Sequence, residues 1–337
     1  MPNSARAASS VSTRRPRLAV LLGDPNGIGP EIGAKLLARP ATYAAADVVV
    51  YTDPAIVAAG ERVAGVRIDA RATLAPLDLI DAAAITPGEA TLAGGHAAFR
   101  ALETAADAAL RGDVDGIVFA PLNKHALRMA GLTQEDELRY LQERFGVTSF
   151  VSEFNITGDL WTSRVTSHIP LRDVADALSI DGVVEAVRIV HRNLVAAGLA
   201  APRIAVAGLN PHAGDGGSLG REEIDVIAPA IESARGEGID ASGPLPSDTV
   251  FVAARRGDYD AVVSMYHDQG QIAMKLMGFD HGVTLHGGLP VPVATCASGT
   301  AFDIVGRNIA NVEGLQHAFE LAARIAARAP QRAAVAA

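Results

Sequence analysis

The sequence predicts an α/β fold with a mostly parallel central sheet, and three observations predict it. Short apolar runs alternate with longer segments of helical period. The runs are continuously apolar rather than alternating, as strands covered on both faces are. Hydrophobic residues make up 49% of the 337-residue chain but aromatics only 4%, so the core is expected to be aliphatic, built from Ala, Val, Leu and Ile. The length suits one large α/β unit or two domains.

In chain order, Leu18–Leu22 reads as the first strand, closed by Gly23 and Asp24, and Val48–Tyr51 as the second. Ala97–Leu110 has helical period, and Gly116–Ala120 is again strand-like. Val183, Val187, Val190 and Leu194 are spaced four, three and four, with Glu185, Arg188 and Arg192 on the other side, an amphipathic helix that Gly198 suits as a left-handed cap. Ile204–Leu209 is the next strand. Glu222–Ala234 is helical in period but is kinked or split by Pro229. Ala261–Tyr266 reads as a strand and Leu315–Ile325 as a closing helix.

Acids outnumber bases 38 to 29, for a net charge of −9, which argues against a nucleic-acid or anionic-membrane partner because either needs a basic face. Cys296 is the sole cysteine and forms no internal disulfide, so a reducing compartment fits best. No apolar run approaches the roughly 18 residues of a membrane-spanning helix. The first residues are Ser/Arg-rich and free of acids, as in a transit peptide or twin-arginine signal. The apolar stretch after them, Leu18–Leu22, is shorter than a signal core of about 7 residues. A disordered tail over residues 1–16 of a cytoplasmic protein is therefore expected.

In open α/β sheets ligands bind beyond the carboxyl ends of the strands, so polar residues that follow apolar runs carry the search for chemistry. Of nine histidines, His168, His212 and His267 have that placement, whereas His96, His125, His191, His281, His286 and His317 are read in helices or loops. Three imidazoles meeting at one rim would form a divalent-metal site with an open position. The competing reading is three separate histidines satisfied by backbone bonds, since separations of 44 and 55 residues match no local metal motif. Gly23-Asp-Pro-Asn-Gly-Ile-Gly-Pro-Glu31 follows the first strand and is neither a Walker loop nor a Gly-x-Gly-x-x-Gly fingerprint; a tight strand-to-helix turn explains it as well as a site does. Gly214, Gly216, Gly217 and Gly220 would let backbone amides approach an anion, or form a mobile loop. Lys275 lies eight residues after His267 and could hold a carboxylate or phosphate, or be a surface lysine. Asp303 could accept ribose hydroxyls or cap a helix. Cys296 lacks a flanking positive charge and reads as a small buried residue rather than a nucleophile.

Taken together, Gly23–Glu31, Pro121-Leu-Asn-Lys124, Thr166-Ser-His-Ile-Pro-Leu171, Gly208–Glu223, Gly243-Pro-Leu-Pro-Ser-Asp248 and Met265-Tyr-His-Asp-Gln-Gly270 resemble the 4-hydroxythreonine-4-phosphate dehydrogenase family, from about residue 17 to 325. Ser298–Asn311 also resembles the adenosine-binding loop of isocitrate and isopropylmalate dehydrogenases. The resemblance implies a two-domain isocitrate/isopropylmalate dehydrogenase-like fold. Residues 17–130 and 280–330 would form the cofactor side, and 131–279 the substrate, metal and dimerisation side. It implies a homodimer with the metal site near the subunit interface, and oxidation of a hydroxy-acid to a β-keto acid with decarboxylation. NAD or NADP and a divalent ion (Zn, Mg, Mn or Co) would serve it. His168, His212 and His267 fall on the family's metal ligands, with His212 also counted as catalytic. Asp248 falls on an acid reached from the partner subunit, and Lys275 on a substrate-binding lysine with a catalytic role. Gly299, Thr300, Asp303 and Asn311 fall on the cofactor loop.

The departures bear on substrate. Where the family has a His-Thr pair on the substrate, this chain reads Thr133-Gln-Glu-Asp-Glu137, which places Glu135 and Asp136 there. Two carboxylates repel a phosphate unless they point away. The family's asparagine falls on Thr284 and its arginine on Val293, removing a bidentate anion grip, and Ser298 replaces a histidine before Gly299. A paralogue acting on a four-carbon acid phosphate is the leading reading. A cis-dihydrodiol carboxylate (terephthalate-diol-type) dehydrogenase is the alternative, and a non-catalytic small-molecule binding protein the second.

Overall fold

The computed structural model describes residues 15–278 and 281–329, which form two compact units. The tail expected over residues 1–16 lies outside the described residues except for Arg15 and Pro16.

The larger unit comprises Arg15–Asp159 and Gln271–Ala326. Its first part runs β1 (Arg17–Leu21), α1 (Gly29–Leu37), α2 (Pro40–Ala45), β2 (Asp47–Tyr51), α3 (Pro54–Ala64), β3 (Thr73–Ala75), α4 (Leu92–Arg111), β4 (Gly116–Phe119), α5 (Lys124–Met129), α6 (Glu137–Arg144) and β5 (Ser152–Thr157). Leu18, Ala19 and Val20 are fully buried, so β1 packs on both faces as its unbroken apolar run requires. In α4 the Thr91 hydroxyl accepts from the Gly94 N–H, and Gly112 ends the helix in the left-handed region at φ 77°. Its buried face is Ala97, Ala98, Ala101, Leu102, Ala105, Ala106, Ala108 and Ala109. Small side chains let neighbours approach closely, which is how a core poor in aromatics reaches normal density.

The smaller unit centres on Leu160–Gly270. It holds β6 (Leu160–Arg164), α7 (Val174–Ala177), α8 (Ile180–Ala196), β7 (Arg203–Ala207), α9 (Ala228–Gly236), β8 (Asp240–Leu245), α10 (Ser247–Arg255) and β9 (Ala261–Ser264), after which α11 (His267–Gly278) begins. Its strands lie in the order β6-β9-β7-β8 and every pair is parallel. Ser179 caps α8 by accepting from Gly182, and the expected stripe Val183, Val187, Val190 and Leu194 is buried. Gly198 follows at φ 106°, as its sequence position predicts. The helix read over 222–234 is divided: a π-helical turn, Glu223–Ile227, precedes α9, whose first turn holds Pro229.

The chain then returns to the larger unit with β10 (Val283–Gly287), β11 (Val293–Cys296) and α12 (Glu313–Arg328). That unit's strand order is β3-β2-β1-β4-β11-β10-β5. β10 is antiparallel to both β11 and β5, and the other pairs are parallel. Pairing of Ser152–Ile156 with β10 gathers residues 131–159 into this unit, a division unlike the one the resemblance implies. Buried Glu31 accepts from Lys35 Nζ at 2.7 Å and from the Ala310 N–H at 3.0 Å, tying α1 to the segment before α12.

A methyl group on Gly95 would lie 2.0 Å from the Ala126 carbonyl oxygen, so α4 and α5 touch through this glycine. Gly95→Ala is expected to lose about 1–3 kcal/mol of unfolding free energy by overpacking. Urea denaturation reads this, and an unchanged midpoint would refute the close contact.

Candidate active site

In the smaller unit the four candidate side chains all follow carboxyl ends of parallel strands. His168 follows β6, His212 follows β7, Asp248 follows β8 and His267 follows β9. Parallel pairing puts those four ends on one edge. The edge is stitched locally. The Thr166 N–H and hydroxyl both donate to the Met265 carbonyl, at 3.1 and 2.8 Å, and Val165 N–H donates to Ser264 at 2.9 Å.

His168 and His267 come together, with ring centroids 5.6 Å apart. They line a cavity of about 260 Å³ with Thr166, Ser167, Ile169 and Tyr266 among its other walls. His267 Nδ1 lies 2.7 Å from Asp268 Oδ1, a contact that restrains the ring. His212 is exposed and sits in the left-handed region at φ 54°, and His168 likewise at φ 50°. Non-glycine residues pay about 1–2 kcal/mol each for that conformation, which persists only where surrounding contacts hold it. Among the described residues the donor atoms of the three histidines do not all fall within 4.8 Å of one another. Asp248 is exposed on the first turn of α10.

In the larger unit a second set of strand ends converges. The turn after β1 meets the segments after β4 and β11. Asp24 N–H donates to the Pro121 carbonyl at 2.9 Å and Ile28 N–H to the Thr300 carbonyl at 3.0 Å. A Cβ on Gly27 would sit 2.9 Å from that of Thr300, so only glycine lets the two segments lie this close. Asn26 is fully buried. It accepts from Thr86 N–H and donates to the Glu89 carbonyl and the Thr91 hydroxyl. The Gly23–Glu31 motif is thus a tight strand-to-helix turn that also braces Thr300. Gly299 beside it is exposed, with open space where a side chain would be. Asp303 is exposed in a turn and begins no helix. Asn311 does the capping instead, its Oδ1 accepting from Glu313 N–H at 2.9 Å.

The remaining candidates spread over the larger unit. Lys275 is exposed on α11. Thr284 lies half-buried on β10, opposite Asn155 and Thr295. Glu135 is exposed, whereas Asp136 is 4% exposed and caps α6 by accepting from Arg139 N–H at 2.9 Å. An Asp just before a helical run is a capping signal, and it was open to reading in the sequence. Val293 is fully buried opposite His286.

His286 corrects the sequence reading: it lies on strand β10, not in a helix or loop. It is buried, its Nδ1 has no hydrogen-bond partner, and its Nε2 is 3.9 Å from Glu153 Oε1. Burial pushes the nearby Glu137 carboxyl above the ordinary range, against the pull of His286 and Lys124. Cys296 is buried as expected, and burial raises its thiol.

The profile of the pyridoxal phosphate biosynthetic protein PdxA family matches residues 37–322. A Rhizobium meliloti protein provisionally named as a second 4-hydroxythreonine-4-phosphate dehydrogenase is 46% identical, covering 95% of this chain and 96% of its own. A crystal structure of 4-hydroxythreonine-4-phosphate dehydrogenase from Klebsiella pneumoniae superposes with a TM-score of 0.78 at 36% identity, covering 94% of this chain and 99% of that one. A terephthalate 1,2-cis-dihydrodiol dehydrogenase from Burkholderia xenovorans gives a TM-score of 0.67 at 29% identity, covering 92% and 98%.

The buried turn after β1 has a pH signature. Asp24 is 1% exposed, its Oδ2 has no partner, and desolvation raises its carboxyl against the pull of the Asn26 N–H. A raised folded-state value means that ionisation costs stability above it, and that the cost fades as pH falls through it toward 3.8. Asp24→Asn keeps the acceptor for Asn26 and is expected to be more stable than wild type near neutral pH, with an advantage that shrinks on acidification. Urea denaturation across pH checks this; a pH-independent difference would rule out desolvation as the cause.

Proposed function

The chain belongs to the pyridoxal phosphate biosynthetic protein PdxA family, and from that premise we propose that it is an NAD(P)-dependent, metal-assisted dehydrogenase acting on a hydroxy-acid. The substrate is of the 4-hydroxythreonine-4-phosphate or four-carbon acid phosphate type, oxidised at CH–OH to a β-keto acid with loss of CO₂. The observation that supports this best is the parallel-strand edge of the smaller unit, where His168, His212, Asp248 and His267 all emerge and two of the rings flank one cavity.

The donor chemistry fits a divalent ion. His267 has Nδ1 engaged by Asp268, which leaves Nε2 as the nitrogen that would take an ion, and His168 stands beside it. His212 would complete the set from its loop. When bound, such an ion supplies the Lewis acidity that lowers the pKa of a substrate hydroxyl, and the nicotinamide supplies the hydride acceptor. Imidazoles suit zinc, while added carboxylate and water suit magnesium, manganese or cobalt. Gly299, Thr300, Asp303 and Asn311 would take the adenosine end of NAD or NADP, with the open space at Gly299 admitting it.

The bookkeeping of bonds is simple. The hydroxyl loses its proton and the carbon its hydride, leaving a ketone β to the carboxylate. The carbon–carboxylate bond then breaks, its electron pair forming an enolate that takes up a proton. Lys275 would neutralise the substrate carboxylate or protonate the developing oxygen, and Asp248 of a partner copy would approach as an acid. Thr284, Glu135 and Asp136 would border the substrate; the capping role of Asp136 keeps its charge engaged with α6 rather than opposed to a phosphate. The dihydrodiol reading is not favoured, because the structure with that name is less alike than the one from Klebsiella pneumoniae. Among the described residues no helix is long and apolar enough to cross a membrane. A cytoplasmic homodimer is proposed.

Purified, metal-reconstituted protein should reduce NAD or NADP and release CO₂ with phosphorylated hydroxy-acids. Turnover confined to dihydrodiol carboxylates would overturn the substrate class, and silence throughout would favour the binding-protein reading. His212→Ala is expected to lower both metal content and kcat, the latter by more than about 100-fold. Full retention of either would remove His212 from the site.

A further inference from the structure

We propose that Gln269 and Glu223 are positioning residues that set the rings of His267 and His212, an inference that rests on the metal-site reading above. Both lie inside segments that carry the family resemblance, Met265–Gly270 and Gly208–Glu223, but neither is among the residues lining the cavity. Both act on backbone that leads into a histidine.

Gln269 joins two strand ends with one amide. Its Oε1 accepts from the Met265 N–H at 2.6 Å, and its Nε2 donates to the Gly208 carbonyl at 2.8 Å. Met265 lies two residues before His267, and Gly208 opens the segment that ends at His212. The Met265 carbonyl meanwhile accepts from Thr166, two residues before His168. A single side chain therefore fixes the loops after β9 and β7 to each other, and Met265 passes the restraint on to the loop after β6.

Glu223 holds the other side of the His212 segment. It is 2% exposed; its Oε1 accepts from the Asn210 N–H at 2.7 Å and its Oε2 from Asn210 Nδ2 at 3.0 Å. A Cβ on Gly214 would lie 2.7 Å from Oε2, and one on Gly208 3.1 Å from Oε1, so both glycines make room for the carboxylate. The residues between, His212 to Gly216, run through φ values of 54, 52, 81, 44 and 65°. That is a continuous left-handed turn which includes His212, Ala213 and Asp215, none of them glycine. Such a turn does not persist by local preference. The clamp on Asn210 and the glycines packed on Glu223 are what fix where it starts and how it faces.

Co²⁺ titration followed by visible absorption tests this with the full chain, alongside long-range ¹⁵N–¹H spectra of the histidine rings in metal-free protein. Gln269→Met keeps shape and removes both hydrogen bonds; Glu223→Gln keeps shape and removes the charge. Each is expected to weaken Co²⁺ roughly 10–100-fold, the range for groups that orient ligands. Each should also shift the ring signals of His267 or His212, leave the His191 ring on α8 unmoved, and change the thermal midpoint little. Gln269→Glu, which restores only the acceptor for Met265, should recover part of the affinity. Co²⁺ affinity within twofold of wild type in both shape-preserving variants, with unmoved ring signals, would overturn the proposal. Should Gln269→Met fail to fold, Glu223→Gln and Gln269→Glu decide it. Should wild type bind no Co²⁺, the metal reading falls and the ring signals of the metal-free variants alone decide whether these residues position the histidines.

Discussion

Strands buried on both faces have almost nowhere to place a functional group except at their ends. Leu18–Val20, Ile117 and Val118, Ile204–Ala207 and Ala261–Val263 are all fully buried. A polar side chain in those runs would need a buried partner or cost a few kcal/mol. Polar chemistry is therefore confined to the residues that follow, and parallel pairing aligns those residues on a common edge in each unit. In the smaller unit the edge gathers imidazoles and an acid. In the larger it gathers glycine turns and the Thr300 segment. The low aromatic content serves the same architecture, because alanine-faced helices such as α4 can lie close over the strands and exclude water from them.

Much of this was legible in the sequence. All five continuous apolar runs form strands, and the helices read from Ala97, Val183 and Leu315 form with the stripes their periods predict. The break at Pro229 also fell where proline chemistry puts it. The elements missed were short, like β3, or mixed in polarity. β10 reads Val-Thr-Leu-His-Gly and alternates too weakly to mark itself, which is why His286 was misplaced. Its burial depends on two antiparallel neighbours, one of which, residues 152–156, comes from far away in the chain.

The site shows the same division. Placement after an apolar run picks out His168, His212 and His267 as candidates, because that signal is local, and the structure brings the rings of His168 and His267 together. Asp136 carries a local signal as well, a capping one, and the structure shows that role: it accepts from the Arg139 N–H at the start of α6. Glu137, Glu223 and Gln269 lie inside segments that the sequence comparison singles out, but nothing local marks what each of them holds. Their roles come from what three-dimensional packing sets against them: desolvation for Glu137, and the backbone of other strands for Glu223 and Gln269. A glutamine two residues after a histidine looks like any helical glutamine until the strand beside it is known.

The burial of Cys296 has a practical consequence. It is the sole thiol of the chain, it is enclosed at the end of β11, and desolvation holds it in the neutral, unreactive form. The protein thus offers a nearly silent background for thiol chemistry. Two introduced cysteines, one on an exposed helix face of each unit, would be the only groups that a maleimide dye or spin label meets, so the distance between them can be followed spectroscopically without first stripping the native residue.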